Sequence, residues 1–310
     1  MTGRRSTTSV GLIGFGGWGR LIFRDLRTLG VAVHVAVPGP GCRQDALAAG
    51  AATAHAHLRG LPEVDGYVVA TPTATHAAVV EPLIARQRPI FVEKPLTNDP
   101  ASARRLVDLA GDRIFVMDKW RYHPGIRALA GQARSGALGK ILAIRTFRLG
   151  WDNRHRDVDA VWILLPHDLA IVLEILGRIP AARTACGIVP GRAGSDLIAV
   201  LRDDAGGVQV TVEISANHPA SRRAVVVVGT EGAAQLADSY DDRILIAAGV
   251  PGHATSTPHT VEVGSAMPLL LELEAFVSHL RGGDPPRSSA MDGLLIVERV
   301  HELRRLAGLA

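Results

Sequence analysis

From Val10 to Met117 the chain alternates between two hydrophobic periods. Val10-Gly-Leu-Ile-Gly reads as a buried strand, and Trp18, Leu21, Ile22, Leu26 and Leu29 follow at the spacing of one helix face. Val31 to Val37 is a second run rich in β-branched side chains, and Gly66-Tyr-Val-Val-Ala is a third. A helix with Ala77, Val80, Leu83 and Ile84 on one side comes next, then Pro89-Ile-Phe-Val. A helix from Ala101 to Ala110 and the strand Arg113-Ile-Phe-Val-Met close the series. Strands alternating with helices predict a doubly wound parallel sheet, covered by helices on both faces.

After His123-Pro124 the texture changes. One helix, Gly125 to Ala133, stops at Ser135-Gly136. Strand-like segments then cover Lys140 to Leu149, Asp196 to Leu201, Gly207 to Ile214, Arg223 to Val228 and Arg243 to Ile246. A single helical insert, Val161 to Leu176, interrupts them. Turns such as Asp203-Asp-Ala-Gly-Gly and Gly229-Thr-Glu-Gly join successive strands, the habit of an antiparallel sheet. Two helices, Pro268 to Arg281 and Ser289 to Leu306, finish the chain. The expectation is an α/β protein in two parts. A doubly wound, dinucleotide-binding type of domain spans 1–119, and an α+β domain on a mostly antiparallel sheet spans 120–310.

Composition narrows the function classes. The 310 residues are 47% hydrophobic, which excludes general disorder. The net charge of +4, from 34 Lys+Arg against 30 Asp+Glu, comes without a basic run, so a nucleic-acid partner is not expected. No stretch of 18 apolar residues points to a membrane span, and the apolar segment Val10 to Phe15 leaves no room for a cleaved export signal. A cytoplasmic protein is expected. Cys42 and Cys186 fit no metal or redox spacing, and His253 and His259 lack partners at ligand spacing, so no metal is expected. Arginine supplies nearly all the positive charge. Lysine is the rarer choice, at Lys94, Lys119 and Lys140 only.

Gly14-Phe15-Gly16-Gly17-Trp18-Gly19 follows a strand and opens a helix, the G-x-G-x-x-G spacing of a dinucleotide loop. Its glycines permit a tight turn, close backbone approach to a pyrophosphate and close packing of helix on strand, with helix N–H groups facing the phosphates. The second strand ends Ala36-Val37-Pro38-Gly39-Pro40-Gly41-Cys42-Arg43, with no acid before Asp45 to take the ribose hydroxyl of NAD. That absence, with Arg43 close by, favours NADP; NAD is the alternative, with Arg43 a solvated helix-start residue. Ala70-Thr71-Pro72-Thr73-Ala74-Thr75-His76 and Phe91-Val92-Glu93-Lys94-Pro95-Leu96 both follow strands at their carboxyl ends, where ligands of open α/β sheets bind. A lysine on such a turn can orient a carbonyl or hydroxyl and serve a proton relay.

With these motifs go Lys119-Trp120-Arg121-Tyr122-His123-Pro124, Gly136-Ala-Leu-Gly139-Lys-Ile, Leu271-Glu-Leu-Glu-Ala-Phe276 and Asp292-Gly293-Leu. Over nearly its whole length the chain resembles the glucose–fructose oxidoreductase / inositol dehydrogenase / MocA family. The resemblance implies a Rossmann domain and an open-faced second sheet that pairs subunits into homo-oligomers, dimers or tetramers. It also implies an NAD(P)-dependent oxidoreductase acting on a sugar, nucleotide sugar or cyclitol. Lys94 matches the family's catalytic lysine. Phe15, Gly16, Gly17 and Trp18 match the pyrophosphate loop, and Thr71, Pro72, Thr73 and His76 the nicotinamide-side loop, with Glu93 beside Lys94. His76 is open to a second reading, as a helix-start residue bonded to backbone. Arg121 stands either near the nicotinamide or substrate or as an ion-paired surface arginine, and Trp120 and Tyr122 are placed on the substrate side.

His167 matches a family histidine that transfers the substrate proton, a task suited to a group titrating near neutrality. The family carries an Asp four residues earlier; here Ile163 stands in its place, and Leu165 replaces a small residue. Either His167 works with Lys94 alone, or Asp159 or Asp168 assists. Trp151 to Asp159 reads as a substrate loop or as a solvated one, with Trp151, Arg154, Asp159 and Trp162 as candidates for substrate contact. The expected activity interconverts a secondary alcohol and a ketone with NADP(H). Its alternatives are an NAD-linked imine or cyclic-diol reductase, and a non-catalytic nucleotide sensor.

Overall fold

The computed structural model describes residues 7–151, 157–187, 194–204, 207–250, 253–254 and 257–309. Two compact units divide the chain: one holds the segment up to Lys119 with Leu269–Leu294, the other Trp120–Pro268 with Leu295–Ala310.

In the first unit β1 (Ser9–Ile13), α1 (Gly17–Thr28), β2 (Ala32–Ala36), α2 (Pro40–Ala48), β3 (Thr53–His55) and β4 (Gly66–Val69) come in order. They are followed by α3 (His76–Ile84), β5 (Ile90–Glu93), α4 (Pro100–Ala110) and β6 (Ile114–Met117). The six strands form a parallel sheet in the order β3-β2-β1-β4-β5-β6. The chain winds outward from β1 and then returns beside it as β4, so a crevice opens at the carboxyl ends of those two strands. Val10, Leu12, Val33, Val35, Val68, Phe91 and Phe115 pack with Ile22, Phe23 and Leu26 of α1 in one buried cluster. The pattern in sequence did not mark α2 or β3. Of α2 only Ala46 is buried, and β3 is a half-buried strand of 3 residues, so neither has a period to read.

The second unit contains α5 (Pro124–Arg134), β7 (Ile141–Trp151), α6 (Ala160–Leu176), β8 (Ala182–Cys186), β9 (Asp196–Arg202) and β10 (Gln209–Ser215). β11 (Asn217–Gly229), β12 (Gly232–Leu236), β13 (Arg243–Val250), β14 (His253–Ala254) and β15 (His259–Glu262) complete its strands. The nine-stranded sheet runs β14-β13-β12-β11-β7-β10-β9-β8, with β15 also on β13. Pairing is antiparallel except where β10 lies parallel to β7. The helix α6 is buried on nearly every side, from Val161 to Ile175. It packs on α5 and on β7, β9 and β10, while α5 covers β11, β12 and β13.

Two helices close the chain, α7 (Pro268–Leu280) and α8 (Ala290–Leu306). Residues 269–294, expected inside the second domain, belong instead to the first unit. The reason is an apolar stripe in need of a partner. Phe276 stacks on Phe91 of β5, centroids 4.9 Å apart, and Leu269, Leu273 and Val277 join the same cluster. A Cβ built on Gly66, the first residue of β4, would lie 2.7 Å from Leu280. The carboxyl end of α7 is therefore at the amino end of β4, and its amino end points toward the strands' carboxyl ends. Among the described residues no helix is long and apolar enough to cross a membrane.

Candidate functional site

The glycine loop divides into two packing glycines and two open ones. Gly14 has φ +98°, and a Cβ there would lie 2.3 Å from the Ala70 carbonyl oxygen. At Gly19 a Cβ would lie 2.5 Å from the Gly14 oxygen, so these two let β1, α1 and the end of β4 meet. Around Gly16 and Gly17 nothing among the described residues lies within 4 Å of a would-be Cβ. No side chain caps the amino end of α1, and no acid sits in its first turn. Unclaimed N–H groups beside an open backbone surface fit a pyrophosphate. Phe15 is turned into the core instead, edge-on to Phe23 at 5.3 Å.

After β2, Arg43 donates from Nη1 to the carbonyl oxygens of Val37, at 3.1 Å, and Pro38. It thereby holds the loop in which the ribose acid of an NAD enzyme would stand. Asp45, the first acid beyond, is occupied by Arg20 at 2.6 Å.

At the end of β5 the Glu93 carboxylate accepts a hydrogen bond from the Trp18 indole. Lys119 Nζ lies 4.6 Å from the Trp18 ring centroid. Burial pushes the Glu93 carboxyl up; Lys94, Lys119 and the indole N–H oppose it. Lys94 is half-buried on this turn, so the lysine and the glycine loop are tied through one glutamate and one tryptophan. His76 is buried, with Nδ1 2.9 Å from the Pro95 oxygen and Nε2 3.0 Å from the Thr71 oxygen. Of its two readings the backbone-bonded one describes the ring: it fastens the Thr71 loop to the Lys94–Pro95 turn. Desolvation holds its pKa below the ordinary value. Within the loop, the Thr75 hydroxyl donates toward the Thr71 hydroxyl at 2.9 Å and the Pro72 oxygen at 2.7 Å; Thr73 is buried.

Two acids that the motifs did not single out, Asp118 and Glu272, are buried in this unit. Glu272 is three residues after Leu269 and four before Phe276, on the apolar stripe of α7. That spacing is the signal that would have found it.

In the second unit His167 is half-buried on α6, its ring 6.4 Å from that of Trp120. Trp120, itself buried, stacks on His123 at 5.1 Å and carries the Arg148 guanidinium 4.5 Å from its centroid. Arg148 donates from Nε to Asp168 at 2.7 Å, both groups buried, so this acid is engaged by the arginine. Burial pushes the Asp168 carboxyl up, and Arg148 pulls against that rise. Asp159 caps α6, accepting from the Trp162 N–H at 3.2 Å, and pairs with Arg304. Its carboxylate is thus engaged by helix and arginine. Trp162 is buried with Arg304 5.6 Å from its ring, and Ile163 and Tyr122 are buried as well. Arg121 donates from Nε to the buried Glu174 at 3.1 Å, so it stands in an ion pair. Trp151, at the end of β7, is 68% exposed, and Arg154 lies outside the described residues. Among the described residues no three His, Cys, Asp or Glu side chains are grouped to hold a metal ion.

An open glycine cradle at the switch point of a parallel sheet defines the class of dinucleotide-binding Rossmann folds. Residues 8–115 match the Gfo/Idh/MocA family model, described as oxidoreductase family, NAD-binding Rossmann fold. The chain is 35% identical over 170 residues to an inositol 2-dehydrogenase of Acidothermus cellulolyticus, covering 52% of this chain and 50% of that one. It is 33% identical over 132 residues to a UDP-N-acetylglucosamine 3-dehydrogenase of Acidithiobacillus ferrooxidans, 41% of each chain. These matches span half or less of the two relatives. A solved structure of UDP-N-acetylglucosamine 3-dehydrogenase from Acidithiobacillus ferrooxidans superposes with a TM-score of 0.83 at 22% identity. It covers 97% of this chain and 98% of that one and shows a shared fold.

Proposed function

We propose that the protein is an NADP(H)-dependent oxidoreductase that interconverts a secondary alcohol and a ketone on a sugar, nucleotide-sugar or cyclitol-like substrate. The observation that carries this reading is the join of the half-buried Lys94 to the glycine loop through Glu93 and Trp18. When bound, the cofactor supplies hydride exchange. Gly16, Gly17 and the amino end of α1 hold its pyrophosphate, and Thr71, Pro72 and Thr73 lie on the nicotinamide side. Lys94 orients and polarises the reacting oxygen, and His167 gives or takes its proton. The preference for NADP rests on Arg43 and on the lack of an acid at the end of β2; the family's NAD-binding description supports NAD as the alternative. The names of the relatives support the substrate class. We also propose a homo-oligomer in the cytoplasm.

Ile163 favours one second reading, a nucleotide sensor without turnover, because an aliphatic side chain cannot hydrogen-bond an imidazole or a hydroxyl. Absorbance at 340 nm over a panel of sugars, nucleotide sugars and aminocyclitols, with NADP and NAD in parallel, tests both. The expected result is turnover faster with NADP, reduced about 100-fold or more in Lys94→Ala, the scale of a lost acid–base group. Tight cofactor binding with no turnover on any member overturns the enzyme reading in favour of the sensor.

A further inference from the structure

We propose that Glu272 is a proton-release site linked to the charge of the bound nicotinamide ring. It holds a proton while that ring is neutral, and gives the proton to solvent when the positively charged, oxidised ring binds at the carboxyl ends of β4 and β5. The inference rests on the reading of the glycine loop as a nicotinamide dinucleotide site.

The geometry begins with α7. Phe276 stacks on Phe91, and Leu280 lies by the first residue of β4, so the helix runs against the direction of the strands. One turn back from Phe276 toward the strands' carboxyl ends is Glu272. Two residues on from Phe91, on the same face of β5, is Glu93. A helical turn of about 6 Å and a two-residue strand step of about 6.6 Å bring these carboxyl groups to the same level. Glu272 is 0% exposed, and neither of its carboxyl oxygens has a hydrogen-bond partner among the described residues.

The charged groups that act on it are Glu93 and Lys94 from the end of β5, and Asp118 and Lys119 from the end of β6. On its own helix Glu274 is exposed, and His279 lies toward the other end, against Phe115. Burial, then Glu93 and Asp118, push the Glu272 carboxyl well above its ordinary range; Lys119 and Lys94 oppose them. Two acids and two lysines already share this cluster. Ionising Glu272 adds a buried negative charge with no cation of its own. A positive ring bound near the Thr71 loop and the Lys94 turn would supply that cation; the reduced ring, being neutral, would not. The step is a plain dissociation: the carboxylic acid O–H breaks, its electron pair stays on the carboxylate, and buffer takes the proton.

Calorimetric titration of the full chain with NADP+ and with NADPH, in two buffers of different ionisation enthalpy between pH 7 and 8, counts the protons released. The 2′-phosphate is common to both redox states, so their difference isolates the ring charge. The expected result is up to one proton more for the oxidised cofactor, with its affinity rising up to about tenfold per pH unit relative to the reduced one. Glu272→Gln is expected to bind both cofactors and to abolish that difference. Equal release in the two redox states overturns the proposal, as does an undiminished difference in Glu272→Gln. Should that variant not fold, the affinity slopes of the native protein decide the matter alone. Binding of neither cofactor overturns the dinucleotide reading itself, a result distinct from binding without proton release.

Discussion

A single methyl group separates the two kinds of glycine in the first turn. At Gly14 it meets the Ala70 oxygen at 2.3 Å and a backbone with φ +98°. Gly14→Ala is therefore expected to lower the unfolding free energy by about 1–3 kcal/mol, read from the urea midpoint. At Gly16 the methyl meets no atom of the described residues within 4 Å. Gly16→Ala should keep the native midpoint and lose cofactor affinity, because the methyl takes the place of the phosphate; native affinity would show that the pyrophosphate lies elsewhere. Arg43 separates the cofactors in the same manner. A charge-assisted bond is worth about 1.5–3 kcal/mol, so Arg43→Ala should weaken NADPH roughly 10- to 100-fold and leave NADH unchanged. Equal losses for both cofactors would reduce Arg43 to a clamp on the Val37 and Pro38 carbonyls.

At the scale of the element, α7 shows how a helix carries a buried acid. Burial holds the Glu272 carboxyl well above the ordinary value of 4.5 at which the unfolded chain gives up its proton. The contribution of this group is fully favourable below that value and is lost as pH rises toward the raised folded one. Unfolding free energy should fall as pH rises above about 4.5 toward that raised value, by as much as about 1.4 kcal/mol per pH unit for one proton. Glu272→Gln should flatten that slope by one proton's share; a slope unchanged in the variant would assign it to Glu93 or Asp168, which burial also raises. Elements with a strong period were legible beforehand: β1, β4, β5 and β6 as short apolar runs, α1 as an amphipathic face and α6 as a long apolar one. β15 was not, because all its residues are exposed, nor was β12, whose Gly-Ala-Ala start has little strand preference. The site follows the same rule. Lys94 announced itself by a strand and a proline. The partners of Arg121 and Asp159 lie 53 and 145 positions away, a distance over which no local pattern speaks.

At the scale of the molecule, the first unit is built from two separated pieces of chain. A fragment ending at Lys119 leaves Phe91, Phe115 and Val68 without the stripe of α7. Losing Phe276 alone should cost about 3–5 kcal/mol, comparable to the whole stability of a small domain. The 1–119 fragment is expected to be aggregated or molten by circular dichroism and gel filtration, and joining 269–294 to it through a flexible linker should restore cooperative unfolding. A cooperative, monomeric 1–119 fragment would show that α7 is dispensable.

The same division sets a timetable for biosynthesis. About 150 residues must leave the ribosome after Lys119 before α7 emerges, roughly 8–30 seconds at ordinary elongation rates. Throughout that interval the nascent sheet presents the face on which Phe91 waits for Phe276, a surface suited to chaperones. The glycine loop is translated about 250 residues ahead of the helix that completes the unit beneath it.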